Sequence, residues 1–342
     1  RARGGGKSMS AQVGVIGAGA WGTALAQSLA VGGSEVLLWA REPELVERIN
    51  AERRNATYLP SAVLAETVRA TTQLAELAAL PVLLAVVPAQ FLGGVLAQLP
   101  GLGFAGDLVL CAKGIEAGSG RLMAEVAVSA VPGAAIGVLS GPTFAHEVAA
   151  GLPTAVTLAC SGGEAQWRRL SPVIARPSLR PYYSDDVIGA EIGGAVKNVL
   201  AIACGVVDGL QLGQNARAAL IARGYAEMLR FGLARGARAE TLSGLCGLGD
   251  LVLTCSSTSS RNFSLGLALG QGLTAAEALS GKNSVAEGAA TAPVLAEIGR
   301  RDGIEMPIAD AVCRLLEGKA PAGEVVAQIL ARPLRAEQEP LS

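Results

Sequence analysis

Gly17-Ala18-Gly19-Ala20-Trp21-Gly22 is the stretch of sequence that decides the fold. It follows a short β-rich run at Gln12–Ile16 and precedes an apolar helix predicted at Thr23–Val31. A second strand is predicted at Glu35–Trp39. Strand, glycine-rich turn, helix and strand in this order are typical of a Rossmann-type unit that binds a dinucleotide.

Each glycine of this turn has its own predicted task. Gly17 permits the tight turn, Gly19 lets the backbone approach a pyrophosphate, and Gly22 lets the helix and the strand pack closely. The first N–H groups of the following helix then face the phosphates. The alternative is a purely structural glycine turn, since the chain holds 44 glycines.

More strands alternate with helical segments through the first half of the chain. Apolar runs predict them at Val82–Val87, Leu108–Ala112, Ala135–Leu139 and Ala155–Ala159. Near-continuous apolar strands of this kind indicate a parallel sheet that helices cover on both faces.

Past Asp185 the strand signals vanish, and the pattern predicts helices only. A long, nearly uncharged segment at Val187–Leu210 predicts a buried helix, and further helices are predicted at residues 217–235, 263–270, 275–279, 289–301, 308–316 and 324–330. We therefore predict an α/β fold, with an N-terminal Rossmann-type doubly wound sheet and an all-α C-terminal domain. The predicted divisions are a flexible leader at 1–10, a dinucleotide-binding domain at 11–187, a helical substrate domain at 188–335 and a tail at 336–342.

Composition excludes several classes of protein. Hydrophobic residues make up 51% and charged residues 17%, which rules out intrinsic disorder. With 28 basic and 29 acidic residues, no overall field favours nucleic acid. His146 is the single histidine, which excludes a multi-histidine metal site and disfavours a serine–histidine triad. We predict no metal site.

Cysteine spacing and uncharged stretches bear on location. The six cysteines include no C-x-x-C pair, so we predict buried thiols in a reducing cytoplasm. The uncharged stretches between Lys7 and Glu35 and between Glu76 and Asp107 are long enough for a membrane span. Glycines interrupt the first, however, and prolines and glycines interrupt the second. We predict no membrane insertion.

The end of the second predicted strand bears on the choice of cofactor. An acidic residue there holds the ribose hydroxyls of NAD, whereas an arginine accommodates the 2′-phosphate of NADP. This chain has Arg41 followed by Glu42. Arg41 indicates that NADPH is accepted, and the alternative is a solvated arginine in a loop.

A hydride transfer needs a proton carrier, and with histidine scarce the candidate is a lysine. Lys197 lies within the predicted buried helix, and Gly193 and Gly194 share its face. We expect these glycines to leave room for a small substrate, and an apolar setting lowers a lysine pKa toward the range of a general acid–base. A lysine that extends to the surface is the alternative.

Two further segments carry candidate polar groups. Ser260 is a candidate N-cap, and Arg261 and Asn262 follow it at a helix start, which is a pattern that binds anions such as phosphate. A polar linker with an exposed arginine is the alternative. Asp250 lies among glycines and apolar residues. It is either a turn residue or helix cap, or the partner of a lysine.

These segments together resemble the bacterial NAD(P)-dependent glycerol-3-phosphate dehydrogenase family. The matching blocks occur in family order and are GAGAWGTALA from residue 17, AKG at 112–114, SGPTFAHE at 140–147, GGAVKN at 193–198, GLGDLVLTC at 247–255, SRN at 260–262 and AEG at 286–288. The resemblance implies a 6-phosphogluconate dehydrogenase-like architecture. It also implies reversible reduction of dihydroxyacetone phosphate to sn-glycerol 3-phosphate with NADPH or NADH, which supplies phospholipid synthesis.

The resemblance assigns roles to individual residues of this chain. Lys197 corresponds to the catalytic proton carrier. Substrate positions correspond to Lys113, Gly141, Thr143, Lys197, Asp250, Ser260, Arg261 and Asn262. Cofactor positions correspond to Gly17, Gly19, Ala20, Trp21, Gly22, Arg41, Lys113, Ala145, Arg261, Val285 and Glu287. His146 follows the matched GPTFA block, and we expect it at the surface or in a turn.

Two rival functions follow from the same pattern. One is another two-domain dehydrogenase that acts on a β-hydroxy acid or a sugar acid. The other is a nucleotide sensor that binds NADPH without turnover. The expected partner is a small phosphorylated triose, and a homodimer is left open.

Overall fold

The computed structural model describes residues 13–280 and 286–331. The predicted leader at 1–10, the predicted tail at 336–342 and the predicted cofactor residue Val285 lie outside these ranges.

The N-terminal half is built around one sheet of eight strands. In chain order they are Val13–Ile16 (β1), Val36–Trp39 (β2), Val68–Thr71 (β3), Val82–Ala85 (β4), Asp107–Leu110 (β5), Ala135–Ser140 (β6), Thr154–Cys160 (β7) and Leu179–Ser184 (β8). Their order across the sheet is β3-β2-β1-β4-β5-β6-β7-β8. The first six strands therefore have the order of a doubly wound dinucleotide-binding sheet, and the strand order reverses between β1 and β4. The Rossmann-type prediction is confirmed.

The prediction of a parallel sheet is wrong at one edge. β7 pairs antiparallel with β6, and β8 pairs parallel with β7, so the last two strands oppose the first six. The chain between β6 and β7 contains only the short helix Ala145–Ala149, and such a connection suffices for an antiparallel neighbour.

Two strands had no clear sequence signal because both lie at edges of the sheet. β3 exposes Arg69, and β8 carries Pro181, Tyr182 and Tyr183 with little burial. Edge strands face solvent along one side, so they lack the continuous apolar pattern of central strands.

Helices cover both faces of the sheet and form the second half of the chain. The first seven are Ala20–Val31 (α1), Pro43–Glu52 (α2), Leu74–Ala78 (α3), Ala89–Leu96 (α4), Met123–Ala130 (α5), Ala145–Ala149 (α6) and Gly163–Ile174 (α7). The second half contains Val187–Gly209 (α8), Gly213–Ala234 (α9), Ala239–Ser243 (α10), Asp250–Cys255 (α11), Arg261–Gly270 (α12), Ala275–Leu279 (α13), Glu287–Asp302 (α14), Pro307–Leu316 (α15) and Ala322–Leu330 (α16). The prediction of a helical second half is confirmed.

Helix α8 is the central element of the helical half. Asp186 caps its start, because Oδ1 accepts a 2.8 Å hydrogen bond from the Gly189 N–H. It is the one helix in the described ranges that is long and apolar enough to cross a membrane, yet 89% of its most apolar stretch is buried inside the protein. It is therefore a core helix, as its sequence predicted.

Glycines, which have no side chain, allow α12 to pack directly against α8. A Cβ atom on Gly205 would lie 2.0 Å from the Phe263 carbonyl oxygen, and one on Gly266 would lie 1.9 Å from the Ile202 carbonyl oxygen. These glycines therefore allow the two backbones to touch, and this contact sets the start of α12 beside the middle of α8.

All six cysteines are free and buried. The prediction of buried thiols is confirmed.

Candidate active site

A cleft of about 1090 Å³ lies at the carboxyl edge of β1, β2 and β4, where the helical half closes over the sheet. Ligands of doubly wound sheets bind at this edge, where the strand order reverses. Most of the predicted site residues line the cleft: Gly17, Gly19, Ala20, Trp21, Arg41, Lys113, Thr143, Ala145, Lys197, Ser260, Arg261, Asn262 and Glu287. Gly22, Gly141 and Asp250 do not line it.

The glycine turn at the cleft has the geometry that its sequence predicts. Gly17 has φ +114°, a conformation that glycine adopts without strain. A Cβ on Gly22 would lie 1.8 Å from the Gly17 carbonyl oxygen, so only glycine lets α1 begin so close to the turn. A Cβ on Gly19 would meet no atom within 4 Å. The open space at Gly19, beside the N-terminus of α1, fits the pyrophosphate of a dinucleotide.

Asn55 supports this turn, and sequence reasoning missed it. Its Nδ2 donates hydrogen bonds of 2.8 Å to the Ala18 carbonyl oxygen and 2.8 Å to Thr23 Oγ1, and its side chain is fully buried. The loop at 57–61 that follows it also lines the cleft. A polar residue in a loop without periodicity gives no local signal of such a role.

Arg41 follows the end of β2 at Trp39 by two residues and lines the cleft together with Glu42. Its Nε and Nη2 atoms lie 3.2 Å and 3.0 Å from the same Oε1 atom of Glu42. The Arg41 side chain is 81% exposed, so its guanidinium is open to a ligand as well as to Glu42.

The polar centre of the cleft wall is one carboxylate between two lysines. Asp250, with no exposed surface, accepts a 2.9 Å hydrogen bond from Lys197 Nζ on Oδ1 and a 2.6 Å bond from Lys113 Nζ on Oδ2. Lys113 also donates to the Gly141 carbonyl oxygen at 3.1 Å. The alternative of a lysine that extends to the surface is wrong for Lys197, whose side chain is 8% exposed.

Burial and charge set the protonation of this centre. Burial lowers the pKa of Lys197 to about 8, although the Asp250 carboxylate opposes the shift. Burial would raise the pKa of Asp250, but the nearby Lys113 and Lys197 ammonium groups outweigh it and hold that pKa below its usual value. Lys197 is thus a lysine that can both give and take a proton near neutral pH.

Thr254 is a further member of this centre that sequence reasoning missed. Its Oγ1 accepts a 2.8 Å hydrogen bond from Lys197 Nζ and donates one of 3.1 Å to Asp250 Oδ1. Asp250 and Thr254 lie four residues apart on α11 and therefore share a face. This four-residue spacing is a sequence signal that could have linked Thr254 to Asp250, but the glycines before Asp250 obscured the helix.

The predicted room beside Lys197 is wrong. A Cβ on Gly193 would lie 2.4 Å from the Cys246 carbonyl oxygen, and one on Gly194 would lie 3.2 Å from Lys113 Cγ. Protein atoms already occupy both spaces: the π-helical turn Leu245–Gly249 packs on Gly193, and the Lys113 side chain passes Gly194. These glycines therefore allow close packing of the π-helical turn and of the Lys113 side chain rather than admit substrate.

A chain of amide groups connects the cleft walls. Asn198 Nδ2 donates to the Lys113 carbonyl oxygen at 3.2 Å, and Asn262 Nδ2 donates to Asn198 Oδ1 at 3.0 Å. Asn262 Oδ1 in turn accepts from the Gly288 N–H at 2.9 Å. The Asn262 side chain is therefore engaged within the protein, which leaves its backbone N–H, in the first turn of α12, for an anion.

The start of α12 has the form that the sequence predicted. Ser260 Oγ accepts a 3.2 Å hydrogen bond from the Phe263 N–H and so caps the helix. Arg261, the first residue of α12, is exposed and lines the cleft. Within the described ranges its guanidinium donates no hydrogen bond to the protein. A helix start and a free guanidinium at one place together suit a phosphate.

The remaining predicted residues lie around these groups. Glu287 Oε1 accepts from the Ala89 N–H at 3.4 Å, and burial raises the pKa of Glu287 to about 7. Thr143 Oγ1 donates to the Gly141 carbonyl oxygen at 3.3 Å. Gly141 packs against β7, where a Cβ would lie 2.9 Å from Val156 Cα. His146 lies on α6 with 52% of its side chain exposed and stacks on Phe144, so its predicted surface position is confirmed.

The fold and the cleft define a class of protein. A Rossmann-type sheet with an open glycine turn, followed by a helical domain that contributes a buried lysine, is the arrangement of a two-domain nicotinamide-dependent dehydrogenase.

Comparisons with known proteins define the family. The model of the NAD-dependent glycerol-3-phosphate dehydrogenase N-terminus matches residues 12–166, and that of its C-terminus matches residues 186–327. The glycerol-3-phosphate dehydrogenase (NAD(P)+) of Novosphingobium aromaticivorans is 70% identical over 96% of this chain and 99% of its own length. That of Caulobacter vibrioides is 56% identical over 95% of this chain and 98% of its own. The crystal structure of glycerol-3-phosphate dehydrogenase from Coxiella burnetii has a TM-score of 0.90 at 41% identity and covers 94% of this chain and 98% of its own. The chain belongs to the NAD-dependent glycerol-3-phosphate dehydrogenase family.

Proposed function

We propose that this protein reversibly reduces dihydroxyacetone phosphate to sn-glycerol 3-phosphate, with NADPH or NADH as hydride donor. The observation that carries the proposal is the buried Lys197–Asp250–Lys113 group, which shares one cleft with the glycine turn and with Arg261 at the start of α12. The proposed proton carrier, dinucleotide turn and anion site thus line the same cavity. The high identity to curated glycerol-3-phosphate dehydrogenases supports the same reaction.

Residues of the sheet domain hold the cofactor in this proposal. The turn with Gly17, Gly19 and Gly22 and the N–H groups of Ala20 and Trp21 at the start of α1 bind the pyrophosphate. Arg41 binds the 2′-phosphate when one is present. The other cofactor residues are Lys113, Ala145, Arg261, Val285 and Glu287. When bound, the nicotinamide supplies the hydride in one direction and accepts it in the other.

Arg261, Ser260 and the backbone N–H groups at the start of α12 bind the substrate phosphate. Thr143 and Lys113, with Gly141 next to them, complete the proposed substrate site. In this proposal the central carbon of the phosphorylated triose faces Lys197.

Lys197 is the proposed proton carrier. Its ammonium donates a proton to the oxygen of the substrate carbonyl during reduction, and its neutral amine removes the hydroxyl proton during oxidation. Asp250 and Thr254 fix the position of Nζ through their hydrogen bonds. Lys113 adds a second positive charge that stabilises the developing alkoxide.

We further propose that the product supplies phospholipid synthesis, that the enzyme acts in the cytoplasm, and that it binds neither nucleic acid nor membrane. Six free, buried thiols are consistent with a reducing compartment. Whether it acts as a homodimer can be measured by light scattering of the purified chain.

Initial-rate kinetics with a small substrate panel test the proposal. Dihydroxyacetone phosphate should be reduced with NADPH and with NADH, while dihydroxyacetone and β-keto acids are poor substrates because they lack the phosphate. Equal rates for a β-keto acid would indicate a hydroxy-acid dehydrogenase. Tight NADPH binding without any turnover would indicate a nucleotide sensor.

A further inference from the structure

The end of β2 presents two opposite charges to the cofactor cleft. Arg41 and Glu42 both line it, and both Nε and Nη2 of Arg41 lie within 3.2 Å of Glu42 Oε1. Their side chains are 81% and 45% exposed, so each can also reach a ligand. Among the described residues, Glu44 and Glu47 of α2 do not line the cleft.

The two charges favour different cofactors. At this position of a dinucleotide-binding sheet, a carboxylate accepts hydrogen bonds from the ribose hydroxyls, and an arginine pairs with a 2′-phosphate. A carboxylate also repels the doubly charged phosphate, and a carboxylate that is bound to the arginine competes with the phosphate for the same donors. Glu42 therefore opposes the preference that Arg41 creates.

We propose that Glu42 is a specificity-determining residue that keeps NADH usable in a site whose arginine favours NADPH. With NADPH bound, Arg41 turns from Glu42 to the 2′-phosphate. With NADH bound, Arg41 stays paired with Glu42, and the Glu42 carboxylate accepts a hydrogen bond from the ribose 2′-hydroxyl. This inference extends the proposed function to the choice between its two cofactors.

The expected size of the effect follows from the exposure of the pair. Exposed ion pairs contribute little, so removal of the Glu42 charge should strengthen NADPH binding by about 3- to 5-fold rather than by orders of magnitude. Glu42→Gln replaces the charged acceptor for the ribose hydroxyl with a neutral amide oxygen, and this weaker hydrogen bond should weaken NADH binding by a similar factor. The two dissociation constants should thus move in opposite directions.

The experiment measures the dissociation constants of NADPH and NADH for the purified enzyme by titration of nucleotide fluorescence, without substrate. Glu42→Gln should lower the Kd of NADPH and raise that of NADH. Glu44→Gln is the matched control, because it removes the same charge from the first turn of α2 at a residue outside the cleft lining. It should leave both constants unchanged. In an Arg41→Ala background, Glu42→Gln should give a smaller gain for NADPH, because the competition for Arg41 is then absent.

Three outcomes would overturn the inference. They are an unchanged ratio of the two constants in Glu42→Gln, a parallel change for both nucleotides, and an equal shift in Glu44→Gln. A wild-type enzyme that binds both nucleotides but does not reduce dihydroxyacetone phosphate would contradict the proposed function alone. The two failures are therefore distinguishable.

Discussion

Lys197 Nζ lies 2.9 Å from Oδ1 of Asp250, a carboxylate with no exposed surface. The second oxygen of the same carboxylate binds Lys113. Two cations thus share one anion, which leaves a net positive charge beside the cleft. Such a charge suits a phosphorylated substrate whose carbonyl oxygen becomes negative during reduction.

Asp250→Asn should move the pH profile of the reaction. The Asp250 carboxylate raises the pKa of Lys197 against the effect of burial, so its removal lowers that pKa from about 8. Reduction needs the protonated lysine, so the alkaline fall in kcat should occur at lower pH in the variant. Asp310→Asn, which removes a surface carboxylate paired with Arg300, is the control and should keep the wild-type profile. An Asp250→Asn pH profile that coincides with that of the wild type would contradict the effect of Asp250 on the pKa of Lys197.

Arg261→Ala should raise the KM for dihydroxyacetone phosphate. Hydrogen bonds to charged groups are worth enough to predict a rise of about 10- to 100-fold. The slow reduction of dihydroxyacetone, which has no phosphate, should change little. Arg300→Ala removes an exposed arginine far along α14 and should leave both values as they are. An unchanged KM in Arg261→Ala would argue against the phosphate role.

Alanine at two glycines of the turn should have different effects. A Cβ at Gly19 meets open space, so Gly19→Ala should melt at the wild-type temperature but bind NADPH about tenfold more weakly, because the methyl group occupies the pyrophosphate space. A Cβ at Gly22 collides with the Gly17 carbonyl oxygen, so Gly22→Ala should also melt at a lower temperature. Thermal melts and nucleotide titrations check both. Normal NADPH affinity in Gly19→Ala would contradict the predicted cofactor position.

Glu191 should make stability depend on pH. It is buried on α8, its Oε1 accepts a 2.7 Å hydrogen bond from the Ala124 N–H, and burial raises its pKa to about 8. A group whose pKa is higher in the folded than in the unfolded state stabilises the fold at low pH, and this stabilisation is lost as the pH rises toward 8. In that window the free energy of unfolding should fall by up to about 1.4 kcal/mol per pH unit for this one group.

Glu191→Gln isolates that contribution. The difference in unfolding free energy between the wild type and this variant, from urea melts at pH 5 to pH 8, should shift in favour of the variant as the pH rises. Glu164→Gln removes an exposed carboxylate and should give a difference that is flat with pH. A flat difference for Glu191→Gln would show that Glu191 is ionised in the folded protein throughout this range.

Local patterns were sufficient to predict much of this protein. The tight turn at Gly17 and the close packing at Gly22 follow from the order of strand, turn and helix, because both glycines act within a few residues of themselves. Lys197 could be singled out as a candidate because histidine is scarce and its helix carries few other charges. The capping role of Ser260 is equally local.

Long-range contacts account for what the sequence did not predict. Leu245–Gly249 reads as a loop because of its glycines, yet a Cβ on Gly247 would lie 1.9 Å from the Leu242 carbonyl oxygen, so the glycine serves close packing within a helical turn. That turn leads into α11 and sets Asp250 and Thr254 on Lys197. Asn55 likewise acts on a turn that precedes it by more than thirty residues.

Lys197→Met tests the central claim most directly. Loss of a general acid–base should lower kcat for reduction of dihydroxyacetone phosphate by about a hundred- to ten-thousand-fold. The Kd of NADPH should stay close to the wild-type value, because Asp250 keeps Lys113 as its partner and the fold remains. Lys319→Met, at an exposed lysine paired with Glu317, should be fully active. Near-normal turnover in Lys197→Met, with NADPH binding intact, would contradict the assignment of Lys197 as the proton carrier.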